Sequence, residues 1–351
     1  MAIWASRRAT NNLSLWALFA LLSACVTPGT TLDENDWLHY QQRFISPEGR
    51  VLDTGNGNVS HSEGQGFGML LAVAYDDQQT FRRLWSWTAK NLQVRNDKLF
   101  AWRWSPSETG GAVHDSNNAT DGDLLLAWAL CRAGERWAEP SYREAAAAIS
   151  QDIRHKLLRH DAQAVYLLPG AVGFEKPTGT IVNLSYWIFP AFIELAQLDP
   201  APIWEQLSQT GLMLLQTARF GRWQLPPDWL TLHDPLTVAR DFPPHFGYNA
   251  IRIPLYLIWA KREDHRILQP YLDFWAYFDG SSFTPAWTNL LDDSVDSYNA
   301  PVGVRAIIQA VRTVAKHPTA SPLQLPLLDG EQDYYSASLL LLTKLALAER
   351  H

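Results

Sequence analysis

The chain has 351 residues, a formal net charge of −7 and two cysteines. This length allows one large domain or two of ordinary size, and no linker-like or low-complexity block separates Asp33 from His351, which favours one domain. The acidic balance and the absence of a basic cluster make nucleic acid a poor candidate partner. Cys131 lies within an apolar run and is predicted to be a small buried hydrophobe, so no disulfide is expected to hold the mature fold.

The first residues have the layout of an export signal. Arg7 and Arg8 precede the apolar run 13–22, which is too short to span a bilayer as a stable helix. The following Leu22-Ser23-Ala24-Cys25 resembles a bacterial lipobox, in which Cys25 becomes the lipidated first residue. The alternative is an ordinary signal cleaved near Ala24. Either processing route predicts an exported protein, located in the periplasm or anchored as an outer-membrane lipoprotein.

These features give a simple domain organisation. Residues 1–24 are predicted to be a signal peptide of the lipoprotein type, 25–32 a tether and 33–351 one catalytic domain. Loss of the two signal arginines takes the formal charge of the mature chain to −9.

Within the domain, six apolar segments each follow a short polar start. A helix that is apolar nearly all round is buried, whereas an amphipathic helix covers the buried ones. Alternation of the two kinds predicts an all-α double ring, with the polar starts of six inner helices gathered at one end. The inner segments begin near Ser62, Asn118, Asn183, Gly247, Asn299 and Asp333; examples of outer segments are 78–91, 141–159, 203–218 and 262–278.

Glu63 follows a possible helix cap, Ser62, and belongs to the first turn of an inner helix. Three glycines in the next five residues leave room for another chain or a ligand to approach the backbone. A carboxyl group beside such a surface suits a general acid. The alternative is a first-turn glutamate that stabilises the helix dipole.

A second polar start carries Asp115, Asp121 and Asp123. Thr120 or Asp121 could cap the helix, but a cap does not require the other carboxylates. Paired carboxylates with separated pKa values are typical of glycosidic bond hydrolysis. Clustered aspartates also bind metals, but the spacing differs from a calcium loop and no set of histidines accompanies it. We therefore expect neither a metal nor a cofactor.

Aromatic residues also indicate a carbohydrate ligand. The chain contains 16 tryptophans, and several flank polar turns, where flat rings with a polar edge can stack on sugar rings. Packing in the core is the alternative for each one. The examples beside turns are Trp102, Trp104, Trp223, Trp229 and Trp287; four tyrosines lie at inner-helix starts, Tyr186, Tyr248, Tyr334 and Tyr335.

These motifs together resemble glycoside hydrolase family 8, from about Trp37 to the C-terminus. Within the family the chain is most similar to the carboxymethylcellulases, or endo-β-1,4-glucanases, that accompany bacterial cellulose synthesis. The resemblance implies an (α/α)6 barrel of six inner and six outer helices and an inverting mechanism, with Glu63 as general acid and Asp121 as the second carboxylate at the cleavage point. It rests on 61–69 (HSEGQGFGM), 119–123 (ATDGD) with Ala127, Ala133 and Trp137, 168–174 (LPGAVGF), 183–186 (NLSY), 225–229 (LPPDW) and 334–337 (YYSA).

One position departs from the family pattern. The family's cellulases carry Tyr-Asp-Ala-x-Arg, whose aspartate is the general base, whereas this chain has Tyr248-Asn249-Ala250-Ile251-Arg252. An amide can orient water but cannot accept its proton. The chain could be an inactivated variant, an enzyme with a base from elsewhere, as in the family's chitosanases, or a binding protein without catalysis. Substitute bases could be Asp115, Asp121, Asp241, Asp292, Asp293 or Asp296.

The leading interpretation is an exported endoglucanase that trims nascent β-1,4-glucan, weakened by Asn249. A lipid-anchored glucan-binding protein, a family 8 enzyme acting on chitosan or xylan, and a helical scaffold remain as alternatives. The expected partners are the polysaccharide and, through the context of cellulose synthesis, the synthase machinery. The residues expected to contact substrate are Asp115, Trp102, Trp104, Tyr186, Tyr248, Arg252 and Tyr335.

Overall fold

The computed structural model describes residues 32–108, 110–161, 164–317 and 323–350. The predicted signal peptide and the lipidation site Cys25 lie outside these residues. Eleven α-helices account for nearly half of the described chain: α1 (Glu34–Phe44), α2 (Ser62–Ala74), α3 (Gln78–Asn91), α4 (Thr120–Arg136), α5 (Pro140–Lys156), α6 (Phe189–Leu198), α7 (Ile203–Thr217), α8 (Arg252–Trp259), α9 (His265–Tyr277), α10 (Val302–Lys316) and α11 (Tyr334–Ala348).

The helices form an (α/α)6 barrel, which confirms the predicted fold class. Helices α2, α4, α6, α8, α10 and α11 follow one another around the inner ring, and α11 closes it against α2. Helices α1, α3, α5, α7 and α9 pack outside. The described residues 323–333, between the last two inner helices, contain no helix. Five outer helices therefore lie among the described residues, where six were predicted.

Short antiparallel strands join the helices at the end where the inner helices begin. A four-stranded sheet runs in the order β5-β6-β7-β8, and three further pairs are β1 with β2, β3 with β4, and β9 with β10. A 3₁₀ turn at Leu184–Tyr186 precedes α6. The strands are β1 (Ser60–His61), β2 (Arg103–Trp104), β3 (Leu158–His160), β4 (Val165–Leu167), β5 (Glu175–Lys176), β6 (Gly179–Val182), β7 (Leu230–Leu232), β8 (Thr237–Val238), β9 (His245–Phe246) and β10 (Thr288–Asn289).

Two glycines bring α2 and α4 unusually close where both helices begin. A Cβ atom on Gly122 would lie 2.0 Å from Ser62 Oγ and 2.8 Å from the Glu63 backbone nitrogen. A Cβ atom on Gly66 would lie 2.5 Å from Leu125 Cβ. The glycines around Glu63 therefore admit a neighbouring helix of the same chain rather than a ligand, and this close approach sets the spacing of the site.

The first and last helices are joined by a buried ion pair. Lys344 Nζ on α11 donates to Asp36 Oδ2 on α1, and both side chains are almost fully buried. The other oxygen of this carboxylate accepts a hydrogen bond from the Leu328 backbone nitrogen at 2.7 Å. Tyr40 and Ser338 add a hydroxyl–hydroxyl contact of 2.9 Å between the same helices. These bonds fasten the N-terminal helix to the closing helix of the ring.

Cys131 is buried inside α4, and burial raises the pKa of its thiol to about 11, which confirms its prediction as a small buried hydrophobe. Across the described ranges, the helices are all too short or too polar to cross a membrane.

Candidate active site

Glu63 and Asp121 each occupy the second position of an inner helix. The predicted caps are wrong: α2 begins after His61 and α4 after Ala119, and neither residue makes a side-chain capping bond. Ser62 is instead the first helical residue and faces the other helix. Thr120 likewise opens α4, and its hydroxyl donates to the Leu168 carbonyl at 2.6 Å. Neither Glu63 nor Asp121 is the N-cap of its helix, and the two carboxylates face the same point.

Arg252, the first residue of α8, joins these carboxylates. Its Nη1 donates to Glu63 Oε2 and to Asp121 Oδ2, the second at 3.2 Å. Its Nη2 donates to Ser185 Oγ and Asn249 Oδ1, both at 3.1 Å. The Arg252 side chain is only 2% exposed, against 21% for Glu63 and 3% for Asp121. A buried guanidinium thus gathers the predicted acid, second carboxylate and base position in one constellation.

The pKa values of the two carboxyl groups are shifted in opposite directions. Burial opposes ionisation of Glu63, but the charge of Arg252, a hydrogen bond with Asp121 and the charge of His61 together outweigh it and lower the pKa of Glu63. Burial, followed by the charge on Glu63, raises the pKa of Asp121 well above its ordinary value. In the free site Glu63 is therefore the more acidic of the two groups.

Asn249 lies in the turn before α8. The inner helix predicted to begin near Gly247 begins instead at Arg252, three residues after Asn249. The Asn249 side-chain oxygen Oδ1 accepts the hydrogen bond from Arg252 described above, which leaves the side-chain nitrogen Nδ2 as a donor. At this position the side chain can orient a water molecule, but it cannot remove the proton from it.

Five of the six predicted substitute bases are engaged in other contacts, and the sixth, Asp121, contacts Arg252. Asp241 is exposed and forms an ion pair with Lys176, and Asp115 accepts from Trp102 Nε1 at 2.9 Å. The remaining three carboxylates accept backbone hydrogen bonds in loops: Asp292 from Ser294 at 3.0 Å, Asp293 from Arg222 at 2.9 Å and Asp296 from Ala286 at 3.0 Å. These contacts do not bring the five groups into the Arg252 constellation.

Two further carboxylates have roles that the sequence did not reveal. Asp123 is a packing residue: it accepts from the Phe100 backbone nitrogen at 2.8 Å and from Asn118 Nδ2 at 2.7 Å. Asp228 accepts from the backbone nitrogens of the turn that carries Asn249. The only signal for Asp228 was its place in 225–229, a motif used for the family resemblance.

The predicted aromatic contacts fall into two groups. Trp102 stacks on His61, two residues before Glu63, with ring centroids 5.9 Å apart. Trp104 instead packs edge-on against Trp87, with centroids 5.6 Å apart, and under the Arg50 guanidinium. Trp102 is therefore positioned beside the acid, whereas Trp104 supports the fold.

The tyrosines are closer to the charged centre. The Tyr186 ring centroid lies 6.0 Å from Arg252 Cζ. Tyr335 donates its hydroxyl to the Tyr248 carbonyl at 2.5 Å, and the Tyr248 hydroxyl contacts that of Tyr298 at 2.8 Å. These groups lie beside the turn that carries Asn249.

The other tryptophans stack on protein rings. Trp229 lies between Phe174 and Phe242, with centroid distances of 5.8 and 4.1 Å. Trp287 stacks on His245 at 4.5 Å, and Trp223 packs edge-on against Phe274 at 5.0 Å. Packing within the protein, the alternative stated for each ring, describes these three.

Comparison with known proteins identifies the family of this chain. The family model for glycosyl hydrolases family 8 matches residues 9–349. The chain belongs to this family. It is 40% identical over 352 residues to a probable endoglucanase of Novacetimonas hansenii, covering 99% of each sequence. The family 8 resemblance inferred from the motifs is thus confirmed, and the chain is a glycoside hydrolase.

Solved structures of family 8 proteins agree with the barrel. The endo-β-1,4-glucanase CMCax of Acetobacter xylinum superposes with a TM-score of 0.82 at 41% identity, over 90% of this chain and 98% of that one. The family 8 endoglucanase Cel10 of Klebsiella pneumoniae gives 0.83 at 38% identity, over 90% and 100%. In the parts of this family 8 chain that the structure describes, no three His, Cys, Asp or Glu side chains are grouped to hold a metal ion.

Proposed function

We propose that this family 8 hydrolase is an inverting endo-β-1,4-glucanase acting on cellulose-type β-glucan, with hydrolysis weakened by Asn249. The observation that carries the proposal is the constellation in which Arg252 contacts Glu63, Asp121 and Asn249 at the end of the barrel where the inner helices begin. The names of the similar proteins, endoglucanase and endo-β-1,4-glucanase, support the choice of substrate.

The reaction needs one proton donor and one water. Glu63 protonates the glycosidic oxygen while water attacks the anomeric carbon from the opposite face of the ring, which inverts its configuration. Asp121, the second carboxylate, contacts the sugar at the cleavage point. Asn249 orients the water through its amide but cannot accept its proton, which passes to solvent water instead of to a side chain, and this makes the step slow. Arg252, whose own protonation is permanent, balances the negative charge that Glu63 carries once it has given its proton to the leaving oxygen.

We also propose that the protein is exported and anchored by lipid at Cys25, where it trims glucan as the synthase machinery extends it. The pattern of Arg7 and Arg8, a short apolar run and Leu22-Ser23-Ala24-Cys25 supports this location. A membrane-tethered hydrolase would meet a nascent polymer close to where it leaves the cell.

Reducing-sugar release from carboxymethylcellulose tests the hydrolase, with Glu63→Gln as the control. We expect slow release of internal fragments by the parent, and none above background from the variant. A parent whose rate equals that of Glu63→Gln would contradict the proposal. A panel of carboxymethylcellulose, xylan and chitosan then decides the substrate, because the glucan should be cleaved fastest.

A binding protein is the second candidate, and Asn249 is the observation that favours it. Affinity electrophoresis in gels containing a soluble cellulose derivative should retard the protein in either case. Retardation without any cleavage, even after Asn249→Asp, would favour the binder.

A further inference from the structure

Asp228 lies directly against the turn that carries Asn249. Its Oδ1 accepts hydrogen bonds from the backbone nitrogens of Gly247, at 3.0 Å, and Ala250, at 2.7 Å. The two donors flank the base position in the chain. A carboxylate that accepts two amides of one turn fixes the path of that turn, since both bonds are charge-assisted.

The backbone of Asp228 is also held in position. The Asp228 backbone nitrogen donates to the His245 carbonyl at 2.7 Å. A Cβ atom on Gly247 would lie 3.0 Å from Asp228 Oδ2 and 3.4 Å from Trp287 Cβ, so the backbone is wedged between the two side chains. The adjoining pair β9–β10 holds Phe246 opposite Thr288. The turn has little freedom to shift while these contacts persist.

The turn passes this constraint directly to Arg252. The Ile251 nitrogen donates to the Gly247 carbonyl at 2.9 Å, and the Arg252 nitrogen donates to the Asn249 carbonyl at 3.1 Å. The Arg252 side chain then returns to Asn249 Oδ1 and continues to Glu63. Hydrogen bonds, together with the backbone of the turn between them, therefore connect Asp228 with Glu63, the proposed acid.

We propose that Asp228 is a positioning residue that holds the Gly247–Ala250 turn and thereby aims Asn249 and Arg252 at the reacting centre. This role rests on the proposed function, because it is defined by the groups that would perform hydrolysis. Burial raises the pKa of Asp228 to about 6, while the backbone donors and Arg252 oppose the rise. The group is thus mainly ionised at neutral pH and can accept both bonds as an anion.

The test compares Asp228→Ala with Asp228→Asn. The amide oxygen of Asn can accept the same two bonds, whereas Ala removes the acceptor. Asp264→Ala is the matched control, because Asp264 also accepts a backbone bond, from Arg266 at 2.8 Å, but does so at the start of the outer helix α9. Each change is made in the parent and in Asn249→Asp, with kcat, KM and amide hydrogen exchange over 245–252 measured.

We expect Asp228→Ala to lower kcat at least about tenfold, with KM changed less than about threefold and faster exchange across the turn. Asp228→Asn should remain within about threefold of its background, and Asp264→Ala should leave kcat unchanged. The proposal is overturned if Asp228→Ala preserves both kcat and exchange. It is also overturned if Asp228→Asn loses as much activity as Asp228→Ala while the turn stays protected, because charge rather than position would then be required.

Amide hydrogen exchange distinguishes a failure of this proposal from a failure of the proposed function. Without hydrolysis of any β-glucan in either background, the endoglucanase proposal fails, and faster exchange in Asp228→Ala still supports Asp228 as the anchor of the turn. Unchanged exchange in an active enzyme refutes the anchor alone.

Discussion

Asn249→Asp should convert a weakened hydrolase into an efficient one. The substitution exchanges an amide nitrogen for an oxygen of almost the same size, so the bond from Arg252 Nη2 to the other oxygen, 3.1 Å long, can persist. The new oxygen adds a proton acceptor at the point where the water is expected to lie. The chemistry of the step changes, while the shape of the site does not.

The size of the gain follows from what a general base contributes. Such groups commonly accelerate reactions by about 10²- to 10⁴-fold, which corresponds to about 3–5 kcal/mol of barrier. Substrate contacts are unchanged, so the effect should appear in kcat, with KM altered less than about threefold. Arg252 lies close enough to favour the ionised form of the new carboxyl.

The pH profile gives a second, independent signature. In the parent, the acid alone should govern activity, which falls as the pH rises and the acid loses its proton. In Asn249→Asp, a base that must be ionised adds a second limb, and the profile should become bell-shaped. The added negative charge also raises the pKa of the neighbouring acid, which moves the alkaline limb to higher pH.

Initial rates on carboxymethylcellulose measure kcat and KM, and proton NMR of the first products reports whether the anomeric configuration is inverted. Asn249→Ala should be at least as slow as the parent, and Asn91→Asp on the outer helix α3 makes the same chemical change away from the site. Clear activity in the parent without a gain in Asn249→Asp would refute the reasoning, because another carboxylate would then serve as the base.

Four further outcomes are expected. Glu63→Gln in the Asn249→Asp background should lower kcat at least about a hundredfold, measured on an unactivated β-glucan, and parental turnover would contradict its role as acid. Burial raises the pKa of Asp123 to about 7, so the folded state keeps a proton that the unfolded state loses near pH 4. The free energy of unfolding should therefore fall by at most about 4 kcal/mol as the pH rises from about 4 to about 7. Denaturant titrations should show a smaller fall in Asp123→Asn. Trp102→Ala should raise KM about tenfold with little change in melting temperature, whereas Trp104→Ala should lower the melting temperature and spare KM; the reverse pattern would exchange their assignments. Cys25→Ser should release the protein from the membrane fraction or block processing, and an intact mass showing an unmodified N-terminus would rule out the lipid anchor.

The sequence predicted the barrel because each inner helix repeats one signal, a polar start before an apolar run. Helices α2, α4 and α11 are buried almost throughout, so their composition carries the information locally. Glu63 and Asp121 were recognisable for a related reason, since both stand where an apolar helix begins. The sixth outer helix was expected from the resemblance rather than from a segment of its own, and the described residues 323–333 contain none.

Contacts between residues that are distant in sequence could not be predicted from local patterns. Ser62 and Thr120 have the chemistry of caps, but tight packing and the Leu168 carbonyl engage them instead. Asp228 and Gly247 meet only after the chain has folded, so neither residue carries a local mark of the contact. Trp102 and Trp104 are two residues apart, and only their contacts in the folded chain, with His61 and with Trp87, separate a ring beside the acid from one that supports the fold.

The ion pair between Asp36 and Lys344 joins residues 308 positions apart. During synthesis, the first helix appears long before the cation that neutralises its buried carboxylate. Loss of one partner from a buried pair commonly costs about 3–5 kcal/mol, so a chain that stops short of Lys344 keeps an uncompensated charge and an open ring. Completion of the barrel is therefore tied to completion of the polypeptide, and partial chains should be recognised and degraded rather than accumulate as hydrolase fragments.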